Sequence, residues 1–258
     1  VSTLVDELVG EELVIESEAV EVPRGRRPTP VSLNTKAASV LGIDIGRNRT
    51  IGYLMDLGAN LLHEEELETP MISRPGKFAE WARKVAARTF AAADKNIPPI
   101  CGIGVGIPGV LWKDSSYSLF EFEKVAARIR EELRVDYPVE VFVDNDARMM
   151  AHGTLWFGRG KEYPHFAVLK LGVQLGLGLV INRRVMTGAG GASMELGRVP
   201  MGMECAVSYW GGEGCLENVA SGAGIERLAR EKGIKEASPS KVADAARSGD
   251  KRAQEVFQ

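Results

Sequence analysis

The feature that most constrains the fold is an alternation of short apolar stretches with helix-spaced segments from residue 37 onward. Stretches typical of strands cover residues 40–45, 50–56, 101–106 and 139–143. Between them, apolar residues recur at spacings of three and four, as in Phe78, Trp81, Ala82 and Val85, and in Phe122, Val125, Ala126 and Ile129. Strands that alternate with helices predict an α/β fold.

The second half of the chain continues with further strands and helices. Residues 166–171 and 176–181 are predicted to form strands, and residues 188–191 a glycine-rich loop. Helices are predicted near residues 216–230 and 240–247.

The first 36 residues differ in pattern from the rest. Apolar residues in segment 1–9 have the spacing of an amphipathic helix, and short strands are predicted at residues 13–15 and 19–21. A basic cluster follows, with Arg24, Arg26 and Arg27 among several prolines. We therefore divide the chain into residues 1–36, an α/β subdomain of residues 37–145 and a second α/β subdomain of residues 146–258.

Charge and cysteine content narrow the class of protein. The 32 basic and 35 acidic side chains give a net charge of −3, so any contact with DNA must be local. Three cysteines are too few for a disulfide framework, which favours a reducing compartment, and we expect a cytoplasmic protein. Glycines and Lys170 interrupt the longest apolar run, so no membrane span is predicted.

Two glycine-rich turns are candidates for close approach to a ligand. The turn after Gly42-Ile-Asp44-Ile-Gly46 could bring backbone N–H groups to a phosphate, with Asp44 near a magnesium ion, or could be a plain β-hairpin. The run from Gly102 to Gly109 lets backbone approach a ligand, although such runs are also common at strand ends.

Asp146 is the main candidate for chemistry. It follows a predicted strand, and a carboxylate there, oriented by Asn145, can take a proton from an attacking hydroxyl. The alternative is that Asp146 caps the helix that begins near Ala147. Glu195 and Glu217 could accept hydrogen bonds from a polyol or be solvated surface charges.

The histidines and cysteines do not have the spacing of metal ligands. His63, His152 and His165 are isolated, and Cys205 and Cys215 have no third thiol or imidazole nearby in the chain. We therefore predict no structural zinc and expect no metal site.

Five motifs together resemble the ROK family of sugar kinases and sugar-responsive transcriptional repressors. In chain order they are Leu-Gly-Ile-Asp-Ile-Gly (41–46), Gly-Val-Gly-Ile-Pro-Gly (104–109), Val-Asp-Asn-Asp-Ala (143–147), Glu-Leu-Gly-Arg (195–198) and Gly-Cys-Leu-Glu (214–217). The resemblance implies an actin-like, ribonuclease-H-like fold of two α/β subdomains with a sugar in the cleft between them. The family pattern also extends past Gln258, so further helices are expected there.

The resemblance implies sugar contacts for Asn145, Asp146, Glu195 and Glu217. The family's ATP loops are degenerate by comparison, because Arg47 and Asn48 follow Gly46, and Val173 and Gln174 follow Gly172. Only Asp44, Gly46 and Gly172 remain of the phosphate site, so tight ATP binding is not expected.

The family's zinc ligands are mostly replaced. The family histidine falls on Arg198, and its cysteines fall on Ser208, Trp210 and Cys215. Packing of Tyr209 and Trp210 is expected to order the loop instead, and Arg198 could meet an acidic or phosphorylated sugar.

The N-terminal segment resembles the recognition helix and wing of the family's repressors. That resemblance implies operator DNA as a partner, with Ser2 and Thr3 on the helix and Arg24, Arg26 and Arg27 on the wing as contacts. The leading interpretation is a sugar-responsive repressor that forms a homodimer or homotetramer and needs no cofactor. The alternatives are an ATP- and magnesium-dependent sugar kinase with Asp146 as base, and a sugar-binding module without DNA binding.

Overall fold

The computed structural model describes residues 2–17, 29–72, 75–93, 96–109, 119–188, 194–202 and 215–258. The chain divides into two compact units, and it crosses between them more than once. The first unit comprises Val1–Val105 and Ala127–Val143, and the second comprises Gly106–Ala126 and Asp144–Gln258.

A short helix and a pair of strands form the N-terminal part. Helix α1, Ser2–Gly10, confirms the amphipathic pattern. Strands β1, Val14–Glu16, and β2, Val31–Leu33, pair antiparallel with Val14 opposite Leu33. The predicted strand at residues 19–21 lies outside the described residues, and β2 was not predicted.

A five-stranded sheet carries the α/β pattern of the first unit. Its strands are β3, Ser39–Ile45, β4, Arg49–Asp56, β5, Leu61–Glu68, β6, Ile100–Ile107, and β7, Glu140–Asn145. They lie in the order β5-β4-β3-β6-β7, with β3, β4 and β5 antiparallel to one another. Alternate residues of β3, including Leu41, Ile43 and Ile45, are buried, as expected for a strand.

Two long helices connect the strands of this sheet. Helix α2, Pro75–Ala92, precedes β6, and helix α3, Leu119–Asp136, connects β6 to its neighbour β7. Buried residues of α2 recur at helical spacing, as in Phe78, Ala82, Val85 and Ala86. Helical crossovers between neighbouring strands are the connections that an α/β sheet requires.

A helix packs on a three-stranded sheet in the second unit. Helix α4, Asp146–Trp156, covers one face of strands β8, Phe166–Leu171, β9, Leu175–Ile181, and β10, Arg184–Val185. The order is β10-β9-β8 and both pairings are antiparallel. Ala151, Leu155 and Val180 form the seam between α4 and the sheet.

The rest of the second unit is helical. Helix α5, Glu217–Ala220, and helix α6, Gly222–Glu231, replace the single helix expected at residues 216–230, because Ser221 caps α6. Helix α7, Pro239–Arg247, packs on α6, and helix α8, Lys251–Gln254, packs on α7, around a shared core of Ala229, Val242 and Ala253. Short 3₁₀ turns cover Arg159–Glu162, Leu196–Arg198 and Glu255–Phe257. In the described part of the chain, no helix has the length and apolar character needed to cross a membrane.

Candidate functional site

The start of helix α4 brings two of the predicted site residues together. Asn145 is its N-cap, since its side-chain oxygen accepts hydrogen bonds from the N–H groups of Ala147 at 3.1 Å and Arg148 at 3.2 Å. The alternative that Asp146 is the cap is therefore wrong. Asp146 is the first residue of the helix, and its carboxylate remains near the positive end of the helix dipole.

Both carboxylate oxygens of Asp146 accept hydrogen bonds. Oδ1 accepts from the N–H of Ala147 at 2.8 Å, and Oδ2 lies 2.7 Å from Nζ of Lys170 on β8. The Lys170 side chain retains 28% of its exposure and that of Asp146 retains 14%. Sequence reasoning missed Lys170 as a site residue because its partner is 24 positions away in the chain.

The side chains of Asn145 and Glu195 both lie close to Gly109. A Cβ atom at Gly109 would lie 3.1 Å from Nδ2 of Asn145 and 3.3 Å from Oε1 of Glu195. Any side chain at position 109 would therefore press on both groups. The expectation that glycine is used here for close approach has a physical basis in this contact.

Glu217 lies near Glu195 and is buried. It is 8% exposed, and its Oε2 accepts a hydrogen bond from the N–H of Leu175 at 3.4 Å. A Cβ atom at Gly197 would lie 2.7 Å from that same oxygen. The alternative that Glu217 is a solvated surface charge is therefore wrong.

Glu195 and Arg198 form an ion pair across one 3₁₀ turn. Arg198 Nε lies 3.4 Å from Glu195 Oε2, and both side chains remain partly exposed. Burial raises the pKa of Glu195 above its ordinary value, and the neighbouring Glu217 raises it further, whereas Arg198 opposes this shift. A raised pKa at a partly open carboxyl is typical of a binding or catalytic site.

Arg148 completes the cluster from within helix α4. It is 7% exposed, and its guanidinium donates hydrogen bonds to Asp144 and lies 5.9 Å from the centre of the Phe122 ring. Because a buried guanidinium requires a carboxylate partner, Asp144 is held by a structural ion pair.

Carbonyl groups of the turn between β8 and β9 accept hydrogen bonds from the start of helix α6. The N–H of Gly222 donates to the oxygen of Gly172 at 2.8 Å, and that of Ala223 donates to Val173 at 3.2 Å. The next N–H, from Gly224, donates to the Ser221 hydroxyl at 3.0 Å. These first-turn N–H groups, which would suit a phosphate, already donate hydrogen bonds within the protein.

The turn that contains Gly46 is fixed by hydroxyl groups in the first unit. Thr69 donates to the carbonyl oxygen of Gly46 at 2.9 Å and lies 2.8 Å from the Thr50 hydroxyl, which accepts from Trp81 Nε1 at 2.8 Å. Strands β3 and β4 on either side of this turn form an antiparallel hairpin, in which Asp44 lies opposite Ile51. The predicted β-hairpin is therefore confirmed. Asp44 has further partners within the chain.

The structure describes only some of the remaining predicted site residues. Thr3 is exposed on helix α1, and Ser2 is the first residue of that helix. Arg24, Arg26 and Arg27 lie outside the described residues, as do Ser208, Tyr209 and Trp210.

The part of the family's zinc ligand set that is described does not fit a zinc ion. The guanidinium of Arg198 has only donor groups, so it cannot ligate a cation. Among the described residues, no group of three or more histidine, cysteine or acidic side chains could hold a metal. Cys215 is buried and lies 3.3 Å from the side-chain oxygen of Asn218.

Comparison with known proteins places these features in one family. The ROK family model matches residues 40–258. The chain is 31% identical over 225 residues to a putative xylose repressor of a Caldicellulosiruptor species, which covers 86% of this chain and 56% of that protein. It is 32% identical over 222 residues to a glucokinase of Halalkalibacterium halodurans, covering 84% of this chain and 67% of that protein.

A further relative matches nearly the whole chain. The xylose repressor of Caldicellulosiruptor bescii is 28% identical over an alignment of 268 positions, which covers 97% of this chain and 67% of that protein. This chain thus spans between about half and two thirds of the length of the curated relatives it matches.

Solved structures agree on the fold. A ROK family transcriptional regulator, described as a homologue of the E. coli MLC protein, superposes with a TM-score of 0.75 at 23% identity, covering 99% of this chain and 67% of that chain. A Streptomyces griseus glucokinase in complex with glucose and AMPPNP superposes with a TM-score of 0.67 at 21% identity, covering 85% of this chain and 74% of that chain. The family match, the five motifs and the shared actin-like α/β fold show that the chain belongs to the ROK family.

Proposed function

We propose that the protein is a sugar-responsive transcriptional regulator, which binds operator DNA through its N-terminal segment and a sugar through its ROK domain. The observation that carries this proposal is the helix α1 with its antiparallel strand pair, which precedes residue 40, where the family match begins. The regulator structure matches 99% of the chain, including this segment, whereas the glucokinase structure matches 85%. The relatives named xylose repressor support the same assignment.

The proposed DNA contacts are local, as the net charge of −3 requires. Ser2 and Thr3 would reach base edges or phosphates from α1, and Arg24, Arg26 and Arg27 would contact the backbone or the minor groove. Two copies of this segment in a homodimer or homotetramer would suit two operator half-sites. Light scattering of the purified protein gives the oligomeric state.

DNA binding is tested with the natural full-length protein and duplexes selected from a random pool. Replacing Arg26 with alanine should weaken binding to all sequences and reduce the slope of log K against log salt by about one. Arg247→Ala is the matched control, because Arg247 is an exposed arginine of α7 in the second unit. If the protein selects no duplex, the protein is instead a sugar-binding module without DNA binding.

The proposed effector site is formed by Asn145, Asp146, Glu195 and Glu217, with Arg198 at its edge. Carboxylates and a side-chain amide supply the acceptors and donors that sugar hydroxyls need. A sugar changes operator affinity only if it binds the two states of the protein with different affinity. A thermal-shift panel should begin with xylose, because two relatives are named for it, and continue with glucose and N-acetylglucosamine.

A sugar kinase is the second candidate, supported by the relative named glucokinase at 32% identity. The contacts of helix α6 weigh against it. The first three N–H groups of α6 donate to the oxygens of Gly172, Val173 and Ser221, so they are not available to an ATP phosphate.

Release of ADP from ATP and magnesium distinguishes the two functions. With any sugar that raises thermal stability, we expect no turnover above that of Asp146→Asn. Turnover that Asp146→Asn abolishes would make the protein a kinase. We also propose that the protein needs no structural zinc, which elemental analysis of the purified protein tests.

A further inference from the structure

Lys170 is a charged residue on the packed face of an otherwise apolar strand. Alternate residues of β8, Phe166 and Val168, pack on the seam beneath helix α4, and Lys170 continues that face. Its cross-strand neighbour is Gly176, where a Cβ atom would lie 3.0 Å from Cβ of Ala147 and 3.4 Å from Cβ of Lys170. Any side chain at position 176 would therefore press on both Ala147 and the base of the Lys170 side chain.

The ammonium group of Lys170 is placed where a cation is unfavourable without compensation. It lies at the beginning of helix α4, where the helix dipole favours negative charge. Asp146, at 2.7 Å, supplies that compensation. Burial of a lysine in this position has a desolvation cost that an apolar residue of similar length would avoid.

The cations around this site are matched with carboxylates. Lys170 contacts Asp146, Arg148 contacts Asp144, and Arg198 contacts Glu195. Glu217 adds a fourth carboxylate that is buried. Four carboxylates against three cations leave a region that does not attract a further anion.

A sugar hydroxyl has one proton to donate and oxygen lone pairs to accept with. A carboxylate accepts a hydrogen bond from the hydroxyl group, and an adjacent ammonium, with three N–H groups, donates one to the hydroxyl oxygen. The Lys170–Asp146 pair offers both within 2.7 Å, and Lys170 keeps 28% of its side-chain exposure.

We propose that Lys170 is an effector-binding residue, which together with Asp146 holds one hydroxyl of an uncharged sugar. The proposal rests on the proposed sugar-binding function and specifies its ligand class. A phosphorylated sugar, which Arg198 alone suggested, is disfavoured because Arg198 is already paired with Glu195.

Titration calorimetry of the sugar that raises thermal stability most, against five proteins, tests the proposal. Lys170→Met should weaken binding by about 10- to 100-fold, the range expected for one hydrogen bond to a charged group. Lys161→Met is the matched control, an exposed lysine of the same unit, and should bind like the wild type. Asp146→Asn and the double variant Lys170→Met/Asp146→Asn complete a double-mutant cycle, in which the two losses should not add.

Deoxy analogues of that sugar identify the hydroxyl. One analogue should bind wild type and Lys170→Met with the same affinity, because it lacks the group that Lys170 holds. If Lys170→Met melts well below the wild type, Lys170→Gln, which retains a donor and removes the charge, replaces it in the series.

The outcomes separate this inference from the proposed function. If no sugar binds the wild type, the proposed function is wrong. If the wild type binds a sugar and the folded Lys170 variant binds it equally well, Lys170 is not a ligand and only the inference fails. Tighter binding of a phosphate ester of the sugar than of the same unphosphorylated sugar also overturns it.

Discussion

Gly178 lies where strand β9 passes helix α4, and it has no space for a side chain. A Cβ atom there would lie 2.4 Å from the carbonyl oxygen of Ala147 and 2.6 Å from Cβ of Ala151. The first of these contacts is with backbone, so replacing Gly178 with alanine requires the helix to move by about 1 Å, since non-bonded atoms approach to about 3.5 Å. Overpacking of this kind costs about 1–3 kcal/mol.

Helix α4 also contains a control position, at which replacing glycine with alanine should stabilise the protein instead of destabilising it. Gly153 lies in α4, and a Cβ atom there would meet nothing within 4 Å. Gly153→Ala should therefore stabilise the protein by about 0.5–1 kcal/mol, the usual difference between alanine and glycine in a helix.

Thermal unfolding measures both effects. Since about 1 kcal/mol shifts the Tm of a domain of this size by about 2–4 °C, Gly178→Ala should melt about 2–12 °C below the wild type. Gly153→Ala should melt about 1–4 °C above it. Because α4 begins at Asp146, the shifted helix should also weaken sugar binding in Gly178→Ala but not in Gly153→Ala. A Gly178→Ala protein with wild-type Tm and sugar affinity would refute the packing of α4 on β9.

Three further predictions concern single side chains. Because the pKa of Glu195 is raised in the folded protein, its contribution to stability is present at pH below its unfolded pKa and is lost as the pH rises through its folded pKa. Glu195→Gln should therefore raise the Tm at pH 7 while weakening sugar binding. A lower Tm would contradict this. Ser221→Ala removes the cap of α6 and should cost about 1 kcal/mol in urea unfolding, whereas Ser238→Ala, at a position without a cap hydrogen bond, should cost less, and equal losses would contradict the cap assignment. Trp81→Phe removes the donor to the buried Thr50 hydroxyl and should cost about 0.5–1.5 kcal/mol, so an unchanged unfolding midpoint would show that the bond contributes nothing.

The sequence predicts those strands and helices in which apolar residues recur on one face. Residues 166–171 match β8, and the strand at 40–45 differs from β3 by one residue, because alternation along these strands is strong. Strand β5 was missed because four of its eight residues are glutamates, and pairing with β4 rather than local preference makes it a strand. Strand β2 has only three residues, so its partner β1 determines it.

Motifs in the sequence predicted which residues belong to the candidate site, but they did not predict the contacts that these residues make. Asn145, Glu195 and Glu217 were named from the sequence, whereas the cap at Asn145 instead of Asp146 depends on where the helix begins, to within one residue. The pairing of Lys170 with Asp146 joins β8 to α4, and no local pattern reports it. The burial of Glu217 likewise depends on Gly197 and Leu175, which are distant from it in the chain.

The most direct test of the proposed function is the affinity of the full-length protein for its selected DNA duplex, measured by fluorescence anisotropy with and without the sugar that stabilises the protein. The proposed regulator should show a DNA affinity that changes at least fivefold with the sugar, the lower end of typical allosteric coupling. Asp146→Asn should bind DNA normally and lose the response to sugar. DNA affinity that does not depend on any bound sugar would contradict the proposal, and sugar-dependent release of ADP by the wild type would replace it with a kinase.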